Sequence, residues 1–278
     1  AASFFLATSF WHIMFSRIGF RAIMAPFFLV WASFFLIRAI RLGARPRRQL
    51  VFAAIGGLAF GLGFYSYIAY RVSPLLLLIV VPFFWRERGF WKTAGVFTAV
   101  AFFVALPIGL YYLANPADFM GRTTQVSVFS SPTVVKDLAL NIAKTAGMFN
   151  IAGDFNWRHN YAGRPELFWP VGILFLAGLG YGAKRLFGAV RRWTIFGADR
   201  EESFAWKFTG AWFALAALPV VISNEGLPHA LRAILMIPPT MIFAGVAASA
   251  IYDRFIRDRL DSRVVAFGLA FVIAFLTV

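Results

Sequence analysis

The eight residues Gly153-Asp154-Phe155-Asn156-Trp157-Arg158-His159-Asn160 gather an acid, a base, an imidazole and two carboxamides. That set suits sugar handling. Carboxylates and carboxamides exchange hydrogen bonds with hydroxyls, and Trp157 offers a ring face. Asp154 or His159 could serve as a catalytic base. The same residues also read as a loop folded by its own Asx turns and an Arg158–Asp154 ion pair. Asp154 and His159, helped by Glu225 or His229, could hold a divalent metal. Their spacing matches no standard metal motif, so no metal ligand and no cofactor is assigned.

A second polar block runs Asn224-Glu225-Gly226-Leu227-Pro228-His229-Ala230-Leu231-Arg232. Pro suits a first helical turn, so a helix is expected to begin near Pro228. Its free N–H groups would attract an anion, or would simply be capped. Glu225 joins Asp154 and His159 as a candidate catalytic group. Four arginines, Arg17, Arg21, Arg71 and Arg232, fall at the ends of apolar runs. A charge there is costly unless it is used or snorkels to water. Guanidinium groups bind phosphate in planar, bidentate fashion, which suits a lipid-linked phosphate headgroup. Asn156, Arg158 and His229 complete the expected substrate-binding set. His12 lies among aromatics and reads as a packed or interfacial residue.

The elements that must position these groups are helices in lipid. The chain is 60% hydrophobic and 14% charged, against about 25% charged for a soluble domain. A formal charge of +15 could suggest a nucleic-acid partner. The basic residues instead lie in short connections between apolar runs, so no nucleic acid is expected. There are no cysteines, which excludes disulfides and thiolate metal sites.

Apolar runs fall near 1–16, 22–42, 50–70, 74–85, 93–114, 167–183, 205–223, 231–251 and 264–278. All are expected to be helical, because a lone strand in lipid leaves its backbone unsatisfied. The run 74–85 is short for a span of about 30 Å, and is expected to be extended by its flanks or to be re-entrant. Pro107 and Pro238-Pro239 should kink their helices. The glycines from Gly56 to Gly63 should allow close helix packing.

Alternate connections differ in charge. Arg38–Gln49, Trp85–Lys92, Lys184–Lys207 and Asp253–Arg263 hold two-thirds of the 27 Lys and Arg residues. The positive-inside rule puts these in the cytoplasm and the long polar interval 115–166 outside it. The expected location is a multi-pass chain in the inner (plasma) membrane. Within the interval, Thr133–Phe149 has helical spacing, with Val134, Val135, Leu138, Ile142, Ala146 and Phe149 on one face. It would lie on the membrane surface or pack on its own bundle. The chain opens without Met and ends inside an apolar run. It is therefore read as one domain, 1–278, truncated at both ends.

Ser9-Phe10-Trp11-His12-Ile13, then Phe15-Ser16-Arg17-Ile18-Gly19-Phe20-Arg21-Ala22, resembles the third-helix region of bacterial membrane glycosyltransferases. The family is that of the dolichyl-phosphate-mannose–protein mannosyltransferases and the aminoarabinose lipid A transferases. The blocks at 153–160 and 225–232 look like later blocks of its bacterial branch. The resemblance spans most of 9–245. It implies an all-α, polytopic transmembrane bundle of the C-type glycosyltransferase kind, with one extracytoplasmic region containing an amphipathic helix. It also implies a polyprenyl-phosphate sugar donor, and a lipid, glycan or protein acceptor in the cell envelope. The principal catalytic base of the family lies in a first outer loop, which would precede Ala1. The chain alone would then be inactive, and no metal would be required. By position in that scheme, Arg71 could hold the carrier phosphate, with Arg17 and Arg21 nearby.

The function expected is thus transfer of a sugar from a polyprenyl-phosphate donor to an acceptor hydroxyl. The alternatives are a lipid-linked glycan flippase or transporter, and a polysaccharide polymerase or ligase. A transporter would place polar groups near the bilayer midplane, whereas here polarity collects at one face.

Overall fold

A computed structural model describes residues 1–43, 45–125, 127–191 and 200–256, with the single residues Val264 and Gly268. The helices in chain order are α1 (Ala2–Thr8), α2 (Phe10–Ile18), α3 (Met24–Arg41), α4 (Pro46–Gly63), α5 (Ser73–Phe84), α6 (Phe90–Ala114), α7 (Pro116–Gln125), α8 (Val134–Gly147), α9 (Trp169–Arg191), α10 (Arg200–Val221) and α11 (Ile237–Ile251). Among the described residues there is no strand, only an isolated bridge between Ser127 and Ser223. Among the described residues four segments are long and apolar enough to cross a membrane: Arg21–Arg41, Phe90–Ala114, Arg200–Val221 and Ile234–Phe255. The all-helical expectation holds, and the apolar helices suggest a membrane protein.

Local chemistry explains the boundaries. The apolar run at 1–16 is broken at Ser9, whose backbone is extended. The second piece ends at Gly19, in the left-handed conformation at φ 73° that favours glycine at a helix C-terminus. Arg17 lies in the last turn of α2, where a positive charge meets the negative end of the helix dipole. The short run at 74–85 is extended as anticipated, because a 3₁₀ turn, Ile68–Val72, leads into α5. Pro238 and Pro239 do not interrupt a helix. They occupy the start of α11, where no helical N–H is lost. The run 264–278 lies outside the described residues apart from Val264 and Gly268.

α11 is the central helix, with 67% of its apolar window buried, while only 11% of the α6 window is. α6 instead exposes Phe102, Phe103, Leu110 and Leu113. A helix apolar all round and so exposed has hydrocarbon as its natural solvent. α4 packs between α3 and α6, and α11 packs on α9 and α1. Gly61 lets α4 approach α6 closely, since an added Cβ there would lie 2.7 Å from Val104 Cβ.

The connections gather at two ends. At one end Arg41 pairs with Glu201 at 3.2 Å and Arg200 with Glu87 at 2.6 Å. Gln49 is buried beneath Gly89. Three of the four basic connections therefore meet at one end of the bundle. At the other end Val128 N–H donates to the Ile222 carbonyl at 2.8 Å. Asn141 Nδ2 donates to the carbonyls of Val221 and Ser223, each at 3.0 Å. These carbonyls end α10 and have no intrahelical partner.

The interval 115–166 is not one loop, since it contains α7 and α8. α8 forms where its spacing predicted it, and its expected apolar face is divided, with Phe149 buried and Val134 and Leu138 half-buried. Asn141 and Thr145 are buried. Val135 is 82% exposed and Ile142 52% exposed. The neighbouring carbonyls of α10 require N–H donors, so a carboxamide faces inward and apolar residues face out. α8 thus packs on the bundle and still presents an apolar surface.

Candidate functional site

Asp154 is the hub of the polar end. Its side chain is 4% exposed. Oδ1 accepts the Asn156 N–H at 2.8 Å. Oδ2 accepts the Ala230 N–H at 2.9 Å and lies 2.8 Å from His159 Nδ1. His229 Nδ1 is 3.7 Å from the same oxygen. Burial opposes ionisation of Asp154. The hydrogen bonds from His159, Asn156 and Ala230 outweigh it and hold the carboxyl below its usual range. An ionised Asp154 carboxylate can only accept, so His159 Nδ1 donates in the shared bond.

The loop folds by the Asx turns its sequence suggested. Asn156 N–H bonds Asp154 Oδ1, and Arg158 N–H bonds Asn156 Oδ1 at 3.0 Å. The expected Arg158–Asp154 ion pair is replaced. His159 takes the carboxylate, and the Arg158 guanidinium lies 5.4 Å from the centre of the Phe20 ring. Gly153 sits against the Arg164 carbonyl, Asn160 and Glu166, where an added Cβ would collide. Asn160 Nδ2 donates to the Arg164 carbonyl at 2.5 Å and closes the loop.

Three separate stretches meet here. The His159 ring lies 5.7 Å from Phe15, 5.9 Å from Phe20 and 5.0 Å from His229. Trp11 Nε1 donates to the Ala230 carbonyl at 3.2 Å, while the Ala230 N–H serves Asp154. The blocks 9–22, 153–160 and 225–232 therefore converge on one carboxylate. Pro228 does not start a helix. It lies in a turn, and the first helical residues are Ile234–Met236. The anion site expected at that N-terminus is therefore not formed by His229 or its neighbours.

The other candidates lie outside the hydrogen bonds of the hub, although the Arg232 and Glu225 charges act on His229. Glu225 is exposed and pairs with Arg232 at 2.9 Å, and Arg232 also reaches Ser223. Arg17 and Arg21 are exposed. Arg71 donates to the Phe119 carbonyl at 2.9 Å and lies over the Phe119 and Tyr112 rings, at 3.9 and 4.8 Å. His12 is half-buried and outside the cluster.

Sequence reasoning gave Glu166 no role. It is buried, and its Oε1 accepts the Asp154 N–H at 2.9 Å. Oε2 is buried without a hydrogen-bond partner among the described residues. Burial pushes its carboxyl up to about 8. Its sequence neighbours Arg164 and Pro165 gave no hint of this, because burial comes from the fold of 148–167 and not from local pattern. Burial, reinforced by the Arg232 charge, pushes His229 down to about 4.

The loop also has an outer face. Phe155, Trp157, Arg158, Tyr161 and Arg164 are exposed. Trp157 and Tyr161 meet edge to face with centroids 4.9 Å apart, and Arg164 lies over Tyr161. No family model matches the chain, and no curated protein or solved structure does.

Proposed function

We propose that the chain is an integral-membrane glycosyltransferase, moving a sugar from a polyprenyl-phosphate donor to an acceptor hydroxyl at the extracytoplasmic face. One observation carries the reading. At one end of an apolar bundle, a buried polar hub holds an exposed face of aromatic and basic residues. Trp157 and Tyr161 offer ring faces to a sugar. Arg158, Arg17 and Arg21 offer exposed guanidinium groups to a phosphate. Arg71 gives one of its five N–H donors to Phe119 and keeps others for an anion.

The roles divide by burial. Asp154 and His159 are buried and bonded to each other, so they position the loop. Of the three candidate catalytic groups, Glu225 alone presents an exposed carboxylate. In this scheme a carboxylate takes the proton of the acceptor hydroxyl. The hydroxyl oxygen bonds to the anomeric carbon with inversion. The bond to the phosphate oxygen breaks, and arginines stabilise the departing charge.

The test is transfer from a radiolabelled polyprenyl-phosphate sugar in membranes that carry the chain together with the preceding outer loop the resemblance implies. Trp157→Ala and Arg158→Ala should each lower kcat/KM at least about tenfold while expression persists. Wild-type rates in both variants would sink the reading.

A further inference from the structure

We infer that Asp154, His159 and His229 form a site for one divalent transition-metal ion, with zinc the best match. One donor atom from each lies within 4.8 Å of the other two. Bonds of about 2.1 Å at tetrahedral angles set donor atoms roughly 3.4 Å apart. The edges from Asp154 Oδ2, 2.8 Å to His159 Nδ1 and 3.7 Å to His229 Nδ1, straddle that value. Small side-chain movements would seat the ion, and His159 would then carry its proton on Nε2.

A second observation points to a ligand. His229 Nδ1 is buried and has no hydrogen-bond partner among the described residues. It faces a carboxylate oxygen too distant to accept from it. Buried polar atoms are seldom left so. A cation between His229 and Asp154 would satisfy both.

The surroundings fit a metal centre. Asn156 and Ala230 N–H groups fix the Asp154 oxygens, and the Trp11 indole fixes Ala230 in turn. Such outer contacts orient ligands and tune affinity. Two imidazoles and one carboxylate favour zinc-like ions over magnesium or calcium, which prefer all-oxygen shells. Three protein ligands leave a fourth position open for water or a substrate oxygen. The site stands independently of the glycosyl-transfer reading, since no step of that scheme requires it.

The experiment titrates Zn²⁺ alone into chelator-dialysed protein in detergent micelles, against a colorimetric chelator. Co²⁺ is then used as a spectroscopic probe. The expected result is one ion per chain, with the intense visible bands of four-coordinate Co²⁺. Binding should weaken about 100-fold or more in His159→Gln and His229→Gln. The Gln variants limit the hole left beside Phe15 and Phe20, and the Co²⁺ spectrum needs no variant at all. A wild-type affinity equal to that of the double variant, or a weak six-coordinate Co²⁺ spectrum, would overturn the proposal. Zinc binding is read without any transfer assay, so its outcome stands apart from that of the transferase reading.

Discussion

The Asp154 carboxylate and the Ala230 N–H, 76 residues apart in the chain, meet at 2.9 Å. That single bond ties the polar loop to the turn before α11, and the Asn156 N–H shares the same carboxylate. Asp154→Ala would leave the buried Ala230 N–H and the part-buried Asn156 N–H unpaired, and His159 without its acceptor. The expected loss of stability is about 2–4 kcal/mol. Asp154→Asn keeps one acceptor oxygen and should cost less. Unfolding in mixed micelles measures both, and two variants as stable as the wild type would show the hub to be dispensable.

Glu166 gives a pH dependence. Its folded carboxyl lies at about 8, above the roughly 4.3 of an exposed Glu. The folded state therefore holds a proton that the unfolded state releases between those values. The Glu166 contribution falls as pH rises from about 4.5 to 8. Below about 6.5 it is offset by His229, which burial pushes down to about 4, so stability should fall chiefly between about 6.5 and 8 and then level off. Glu166→Gln is neutral throughout and should flatten this slope. Melting curves of chelator-dialysed protein across that range decide it. A slope unchanged in the variant would assign the effect elsewhere.

How much of this was legible follows from what each pattern encodes. Hydropathy placed α3, α6 and α10 closely, because a long apolar helix is specified residue by residue. Charge asymmetry grouped Arg41, Gln49, Glu87 and Glu201 at one end, where the structure also gathers them. Asp154, His159 and His229 were singled out by residue type and weighed as joint metal ligands, but the sequence could not choose His229 over Glu225, since that choice depends on the fold between them. Glu166 was passed over for the same reason. The inward place of Asn141 on α8 was not legible, because apolar spacing says nothing of the α10 carbonyls that needed it.

Close packing of α9 on α11 makes a paired prediction. A Cβ on Gly178 would fall on the Phe243 carbonyl oxygen, which is backbone and cannot swing away. Gly180, one residue further along after Leu179, has open space at its Cβ. Gly178→Ala should destabilise by roughly 1–3 kcal/mol through overpacking. Gly180→Ala should be neutral, or stabilising by a few tenths of a kcal/mol up to about 1 kcal/mol. Thermal unfolding of the two variants side by side checks the packing, and equal effects would contradict it.

The absence of cysteine makes orientation directly measurable. Arg47 and Ile151 are both exposed, at opposite ends of the bundle. α10 alone, with 22 residues, separates those ends by about 33 Å at 1.5 Å per residue, enough to cross a hydrocarbon core of about 30 Å. Single-cysteine variants Arg47→Cys and Ile151→Cys avoid the residues assigned to the site. In intact cells a membrane-impermeant maleimide should label Ile151→Cys at once. Arg47→Cys should react only after permeabilisation, because the positive-inside rule assigns the basic end to the cytoplasm. Labelling of Arg47→Cys in intact cells, with Ile151→Cys protected, would place the Asp154 hub on the cytoplasmic side and remove the extracytoplasmic transferase reading.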